Sequence, residues 1–141
     1  MRTLTSILMA IAFLCLNDLS LCGDPEAGQP IGFLGGCEID LNADGNTDMA
    51  LLIDTSRGYE LMALMKSSAA AKCYHLKDFK SKMHLSCHHG KQLKETDAGP
   101  GDRKGKTYQT NGTYLKLTQT EGASVAYFWS GDAFREVWTA D

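Results

Sequence analysis

No apolar run in this chain exceeds ten residues, which excludes a conventional membrane-spanning helix, since one needs about 20. Charge of one sign is also missing. Fourteen Lys and Arg stand against 17 Asp and Glu, for a net charge of -3, and that balance attracts neither nucleic acid nor an anionic membrane surface. There is no G-x-S-x-G, so no serine is marked as an activated nucleophile. No phosphate-binding glycine loop occurs either, and "GFLGG" (residues 32–36) reads as a turn. No internal repeat spans the chain and no low-complexity tail ends it, so a solenoid or a disordered appendage has no support.

The ten-residue run itself, "ILMAIAFLCL" (residues 7–16), follows a stretch whose only charge is Arg2. Its length suits the apolar core of a secretory leader. Small residues at Ser20 and Cys22 fit cleavage after Cys22, giving a leader of residues 1–22 and one domain of residues 23–141. "LSLC" (residues 19–22) also resembles a bacterial lipobox, in which Cys22 would carry lipid, although Leu21 stands where a small residue is usual. The chain is therefore expected to be exported, to the periplasm or the medium, with lipid anchoring through Cys22 as the competing outcome.

Five cysteines are then sorted by compartment. Cys15 leaves with the leader, and in an oxidising space the remaining ones default to disulfides. Cys73 and Cys87 lie in two short β-like runs, "KCYHL" and "MHLSC", which as neighbouring strands would bring the two sulfurs together. Cys37 is left as an odd thiol, buried or paired elsewhere. The same region holds His75, His88 and His89. Soft ligands of this kind suit zinc or copper, but the spacing fits no common zinc template, and adjacent His88 and His89 would point to opposite faces of a strand.

Beyond residue 33 the periodicity is that of strands. "MALLID", the turn "TSRG" and "YELMALMK" form a hairpin, against the alternative of a helix over "YELMALMKSSAAAK". "TYQT-NG-TYLKLTQT-EG-ASVAYFWS-GD-AFREVWTAD" reads as four runs separated by three two-residue turns, because Asn-Gly suits the positive φ angles of a tight hairpin. "DAGPGDRKGK" (residues 97–106) reads as a surface loop. The fold class predicted is all-β or mostly β: antiparallel hairpins and a meander in one small domain. Aromatics crowd its C-terminal third. Consecutive aromatics in "AYFW" turn at least one ring outward, so Tyr127 and Trp129 are interface candidates. "NGT" at Asn111 meets the glycosylation pattern, with a hairpin turn the preferred reading.

"DLNADGNTD" (residues 40–48) carries the chemistry. Asp40, Asn42, Asp44 and Asp48 offer side-chain oxygens at alternate or near-alternate positions, and Asn46 sits where such loops add a main-chain carbonyl. Gly45 permits the sharp turn. Calcium is a hard cation that takes six to eight oxygens in a flexible cage. Three carboxylates this close repel one another without a cation between them. An EF-hand or dockerin-like loop would need an acidic twelfth position, and Leu51 stands there.

The stretch "GGCEIDLNADGNTDMALLI" resembles the calcium loop of FG-GAP or VCBS repeats in integrin-like propeller blades, where the loop joins two strands. The resemblance covers about 20 residues, and its D-x-N-x-D-G-x-x-D spacing is fairly specific. It implies Asp40, Asn42, Asp44 and Asp48 as side-chain ligands and Asn46 as a carbonyl ligand. A propeller needs at least four blades, so one such loop excludes a complete one. The C-terminal "SVAYFWSGDAFREVWTAD" is similar in style to the endings of small exported bacterial proteins with one such loop. Calcium is the expected cofactor, acting as a staple for a limited core. The functional expectation is a non-enzymatic module that binds a protein of the envelope or exterior, such as an inhibitor or immunity protein. The competing expectation is a small hydrolase or metal-dependent enzyme built on the Cys/His cluster.

Overall fold

The computed structural model describes residues 30–96, 102, 105–119 and 122–140. The expected leader, Cys22 and most of the Gly-rich loop at 97–106 lie outside the described residues. Eight antiparallel strands form two four-stranded meanders, with no α-helix among the described residues. The first sheet holds β1 (Pro30–Ile39), β2 (Asp48–Thr55), β3 (Gly58–Lys66) and β4 (Ala71–Phe79), in that order. The second holds β5 (Met83–Lys94), β6 (Thr107–Gln119), β7 (Ala123–Trp129) and β8 (Phe134–Ala140), again in chain order. The expected all-β class is therefore observed, and the described strands build neither a closed barrel nor a propeller.

Period two explains how the sheets meet. Cross-strand pairs Ala50–Ala63 and Leu52–Leu61 turn one face of the first sheet inward, where they join Ile39 and Leu41. Leu115, Leu117, Val125 and Tyr127 supply the facing layer. Each fully buried leucine there contributes about 1.5–3 kcal/mol of apolar transfer. The β2–β3 hairpin is the one expected from "TSRG", with Thr55 Oγ1 donating to the Gly58 carbonyl at 3.0 Å. Strand wins over helix across residues 59–66 because both faces of β3 are covered, and Ser67–Ala70 then closes a turn.

Three expectations are corrected. "GFLGG" is not a turn but part of edge strand β1. Asn111-Gly112 does not reverse the chain, and β6 runs straight through it. Gly112 has φ +108° and lies opposite Gly90, where the β5–β6 register slips by one residue. A positive φ serves a bulge as well as a hairpin, so the dipeptide alone could not decide. The third correction is the disulfide. Cys87 is bonded to Cys37, with Cα atoms 5.9 Å apart, which joins β5 of one sheet to β1 of the other. Cys73–Cys87 fails because Lys80–Lys82 carries the chain from one sheet to the other, so β4 and β5 are not paired. Cys73 is itself disulfide-bonded.

The second sheet also curls. Thr96 N–H donates to the Trp138 carbonyl at 2.9 Å, drawing the end of β5 against β8. Leu93, Ala126, Phe128 and Val137 make a small second core there, flanked by Tyr108 and Tyr114.

Candidate metal loop

The loop between β1 and β2 is assembled from its own side chains. Asp44 N–H donates to Asp40 Oδ1 at 3.2 Å and to Asn42 Oδ1 at 3.1 Å, and Gly45 N–H donates to Asp40 Oδ2 at 2.8 Å. One backbone nitrogen thus gathers oxygens from Asp40 and Asn42. Asn46 N–H donates to Asp44 Oδ1 at 2.8 Å, and the Asn42 amide donates to Asp44 Oδ2 at 3.0 Å. These turns need left-handed backbone at Ala43 (φ 59°) and Gly45 (φ 85°), and glycine adopts it without a steric penalty. The Asn46 N–H holds the Asp44 carboxyl below its ordinary range, outweighing the slight upward push of desolvation, with the Asn42 and Asn46 amides adding to it.

Asp48 stands apart from the other four. Its side chain is fully buried, and its two oxygens accept 2.8 Å hydrogen bonds from the N–H groups of Leu41 and Lys66. It ties the loop's first turn to the end of β3. A carboxylate oxygen has two lone pairs, so each oxygen retains one acceptor site.

The loop is also clamped to the second sheet. Thr113 Oγ1 donates to the Asp40 carbonyl at 2.7 Å, and the Asn111 amide donates to the Leu41 carbonyl. Both come from β6, on either side of Gly112. The glycosylation-type asparagine is therefore a structural donor, a role that sequence reading missed. Its signal was the glycine between the two donors, which suits a bulge that re-aims side chains.

The donor set fits a hard cation. Asp40, Asn42, Asp44 and Asn46 offer only oxygen as potential ligand atoms, without sulfur or imidazole nitrogen. Among the described residues no Lys or Arg is ion-paired with Asp40, Asp44 or Asp48.

The aromatic candidates fall differently from expectation. Tyr127 is buried in the main core, and its hydroxyl donates to Glu136 Oε2 at 2.9 Å. Burial, then the charge and acceptor of Glu136, push its ionisation far above the ordinary tyrosine value. Trp129 shares that face and is half-buried, edge-on to Tyr74 and Phe134 at 5.4 and 5.2 Å. Phe128 points the other way but is covered by the second core. The curl of the second sheet buries both sides of "AYFW". Among the described residues, the exposed large apolar side chains are instead Phe33 (53%) and Leu34 (37%) on edge strand β1. Leu34 borders a cleft between the sheets, lined also by Leu52, Met83 and Leu85.

The Cys/His cluster is not assembled as a metal centre. Cys73 and Cys87 are both in disulfides, so neither is a free thiolate. His88 stacks on Tyr114 at 5.3 Å and shares a 2.9 Å hydrogen bond with Ser86. His75 instead meets Asp78 at 2.7 Å, and with Glu60 these three present ligand atoms within 4.8 Å of one another. Compared with known proteins, the chain matches no protein family, no curated protein and no solved structure.

Proposed function

We propose that this is an exported calcium-binding β-sandwich that acts by binding another protein of the envelope or exterior, in the manner of an inhibitor or immunity protein. The observation that carries the reading is the loop at residues 40–48, an all-oxygen donor set that joins β1 to β2 and is hydrogen-bonded to β6 of the opposite sheet. Calcium there would neutralise Asp40 and Asp44 and stiffen a segment that both sheets share. Its chemistry would be charge compensation and cross-linking, with no bond made or broken.

The protein-binding part rests on β1. It is an edge strand, and edge strands accept a partner strand by backbone hydrogen bonding. Phe33 and Leu34 add apolar contacts beside the inter-sheet cleft.

Calorimetric titration tests the metal. One calcium per chain is expected, at a Kd of about 10⁻⁴ to 10⁻³ M, the range of extracellular modules. Asp44→Ala should abolish the heat. No heat from the unaltered chain would end the reading. A photo-crosslinker at Phe33 should capture an envelope protein that one at exposed Lys91 does not, and equal labelling at both would remove β1 as the docking edge. A second reading, a metal-dependent enzyme, draws on Glu60, His75 and Asp78. Zinc that shifts the His75 ring resonances and supports turnover would favour it.

A further inference from the structure

We propose that the side of the sandwich between β4 and β8 binds a small aromatic carboxylate, its ring between the sheets and its carboxylate on Lys77 and Lys80. Both strands are sheet edges. Their side chains meet across the gap, Tyr74 against Phe134 and Lys77 against Glu136. Beside that ion pair, where the chain changes sheets at residues 80–82, the two layers leave a cleft.

The cleft exists because a charge stands where the core pattern calls for an apolar residue. Lys77 pairs with Leu61 and Phe79 with Tyr59, so both share the inward parity of the first sheet. The Lys77 ammonium does not fill the core but runs to Glu136 Oε2 at 3.1 Å. An inward charge guards an edge strand against pairing, which by itself asks nothing of the space behind it. That space measures about 180 Å³. An apolar cavity of ~150 Å³ already accepts benzene.

The walls suit one flat ring. Phe79, Met83, Val125, Tyr127 and Trp138 line the cleft, a mostly aromatic and apolar surface with a few convergent polar groups. Glu136 asks for nothing from a guest, because its neighbours already serve both oxygens. Tyr127 Oη donates to Oε2 at 2.9 Å, and Trp138 Nε1 donates to Oε1 at 3.0 Å. The same bonds fix the two rings in place before a ligand arrives, which lowers the ordering cost of binding.

The mouth selects charge. Lys77 and Lys80 line the cleft against the single carboxylate of Glu136, and that excess of positive charge favours an anion. The Lys77 side chain is 47% exposed. Its ammonium has three donors, so it can hold Glu136 and a ligand carboxylate together. Lys80 is exposed at the rim, where its Nζ donates to the Arg57 carbonyl at 3.0 Å. A ring with a carboxylate on a short spacer satisfies slot and rim together. A neutral guest satisfies only the slot, and a cation is repelled at the rim.

Titration of the purified protein with phenylacetate, benzyl alcohol and benzylamine tests this, read by NMR at the Trp138 indole N–H with that of Trp129 as the reference. Phenylacetate should shift the Trp138 signal saturably, benzyl alcohol more weakly, and benzylamine not at all. Lys77→Met removes the head-group contact and leaves the slot apolar. It should weaken phenylacetate about tenfold or more, the scale of a hydrogen bond to a charged group, and leave benzyl alcohol nearly unchanged. Ala123→Phe places a ring in the cleft and should abolish both shifts while the amide spectrum stays dispersed. If that variant does not fold, Lys77→Met decides alone. No saturable shift with phenylacetate, equal binding of benzylamine, or a phenylacetate affinity that Lys77→Met leaves unchanged or raises would each overturn the assignment.

Discussion

Asp48 is the residue where the loop and the sheets meet. Its buried carboxylate serves two backbone donors, Leu41 N–H and Lys66 N–H. Deleting it leaves both unpaired, and hydrogen bonds to charged groups contribute about 1.5–3 kcal/mol each. Asp48→Ala should therefore lower stability by about 3 kcal/mol in urea melts even in chelator, whereas Asp44→Ala, on the exposed turn, should leave that chelated stability nearly unchanged. Equal losses in the two variants would mean that Asp48 has no special role. Tyr127 and Glu136 each couple stability to pH. Desolvation pushes Glu136 up, but hydrogen bonds from Tyr127 and Lys77, with the Lys77 charge, outweigh it and hold the group below the ordinary glutamate value. Its contribution is present above that value and is lost as pH falls through the lower folded one. Tyr127 shifts the opposite way, so its contribution holds below about 10, the free tyrosine value, and fades as pH climbs beyond it. Tyr127→Phe should flatten the alkaline limb of a stability–pH curve, and an unchanged limb would contradict the buried phenol.

At the scale of elements, β6 decides how the loop is held. Gly112 at φ +108° has open space where a Cβ would stand, so only backbone strain opposes Gly112→Ala, at a cost of about 1–2 kcal/mol. Because the bulge aims Asn111 and Thr113 at the Leu41 and Asp40 carbonyls, the same change should also weaken calcium binding. Titration and urea melts of this variant check both, and intact affinity would show that the clamp is dispensable. This element was the least legible in the sequence. The β2–β3 hairpin could be read because two short apolar runs flank a turn over residues 49–66. Asn-Gly could not, since a bulge and a hairpin use the same backbone. The oxygen spacing at 40–48 was plain, but Asp48's burial was not, because the N–H of Lys66 that it meets is 18 residues away.

For the whole molecule, the two sheets are tied twice at one end. Cys37–Cys87 closes a separation of 50 residues, a constraint of about 2–4 kcal/mol, and the loop clamp lies a few residues further along. Sequence neighbourhood suggested Cys73 for Cys87 because it could not show that the chain changes sheets at residues 80–82. The inward turn of Tyr127 was hidden for a related reason, since only the curl of β5 against β8 shows that Phe128 is covered. With both cysteines of the pair changed to serine, the protein should lose about 2–4 kcal/mol and depend more steeply on calcium, because the remaining tie then acts alone. Strict additivity in a double-mutant cycle with Asp44→Ala would contradict shared duty.

The central claim is that the loop at residues 40–48 is a calcium-filled tie between the sheets. A thermal melt of the protein, with calcium and then with chelator, beside Asp44→Ala, tests it most directly. A site filled at a hundredfold excess over Kd adds about 2.7 kcal/mol. The midpoint of the unaltered protein should rise by several degrees with calcium, and that of the variant should stay where it is. Coincident midpoints with and without calcium in the unaltered protein would contradict the account.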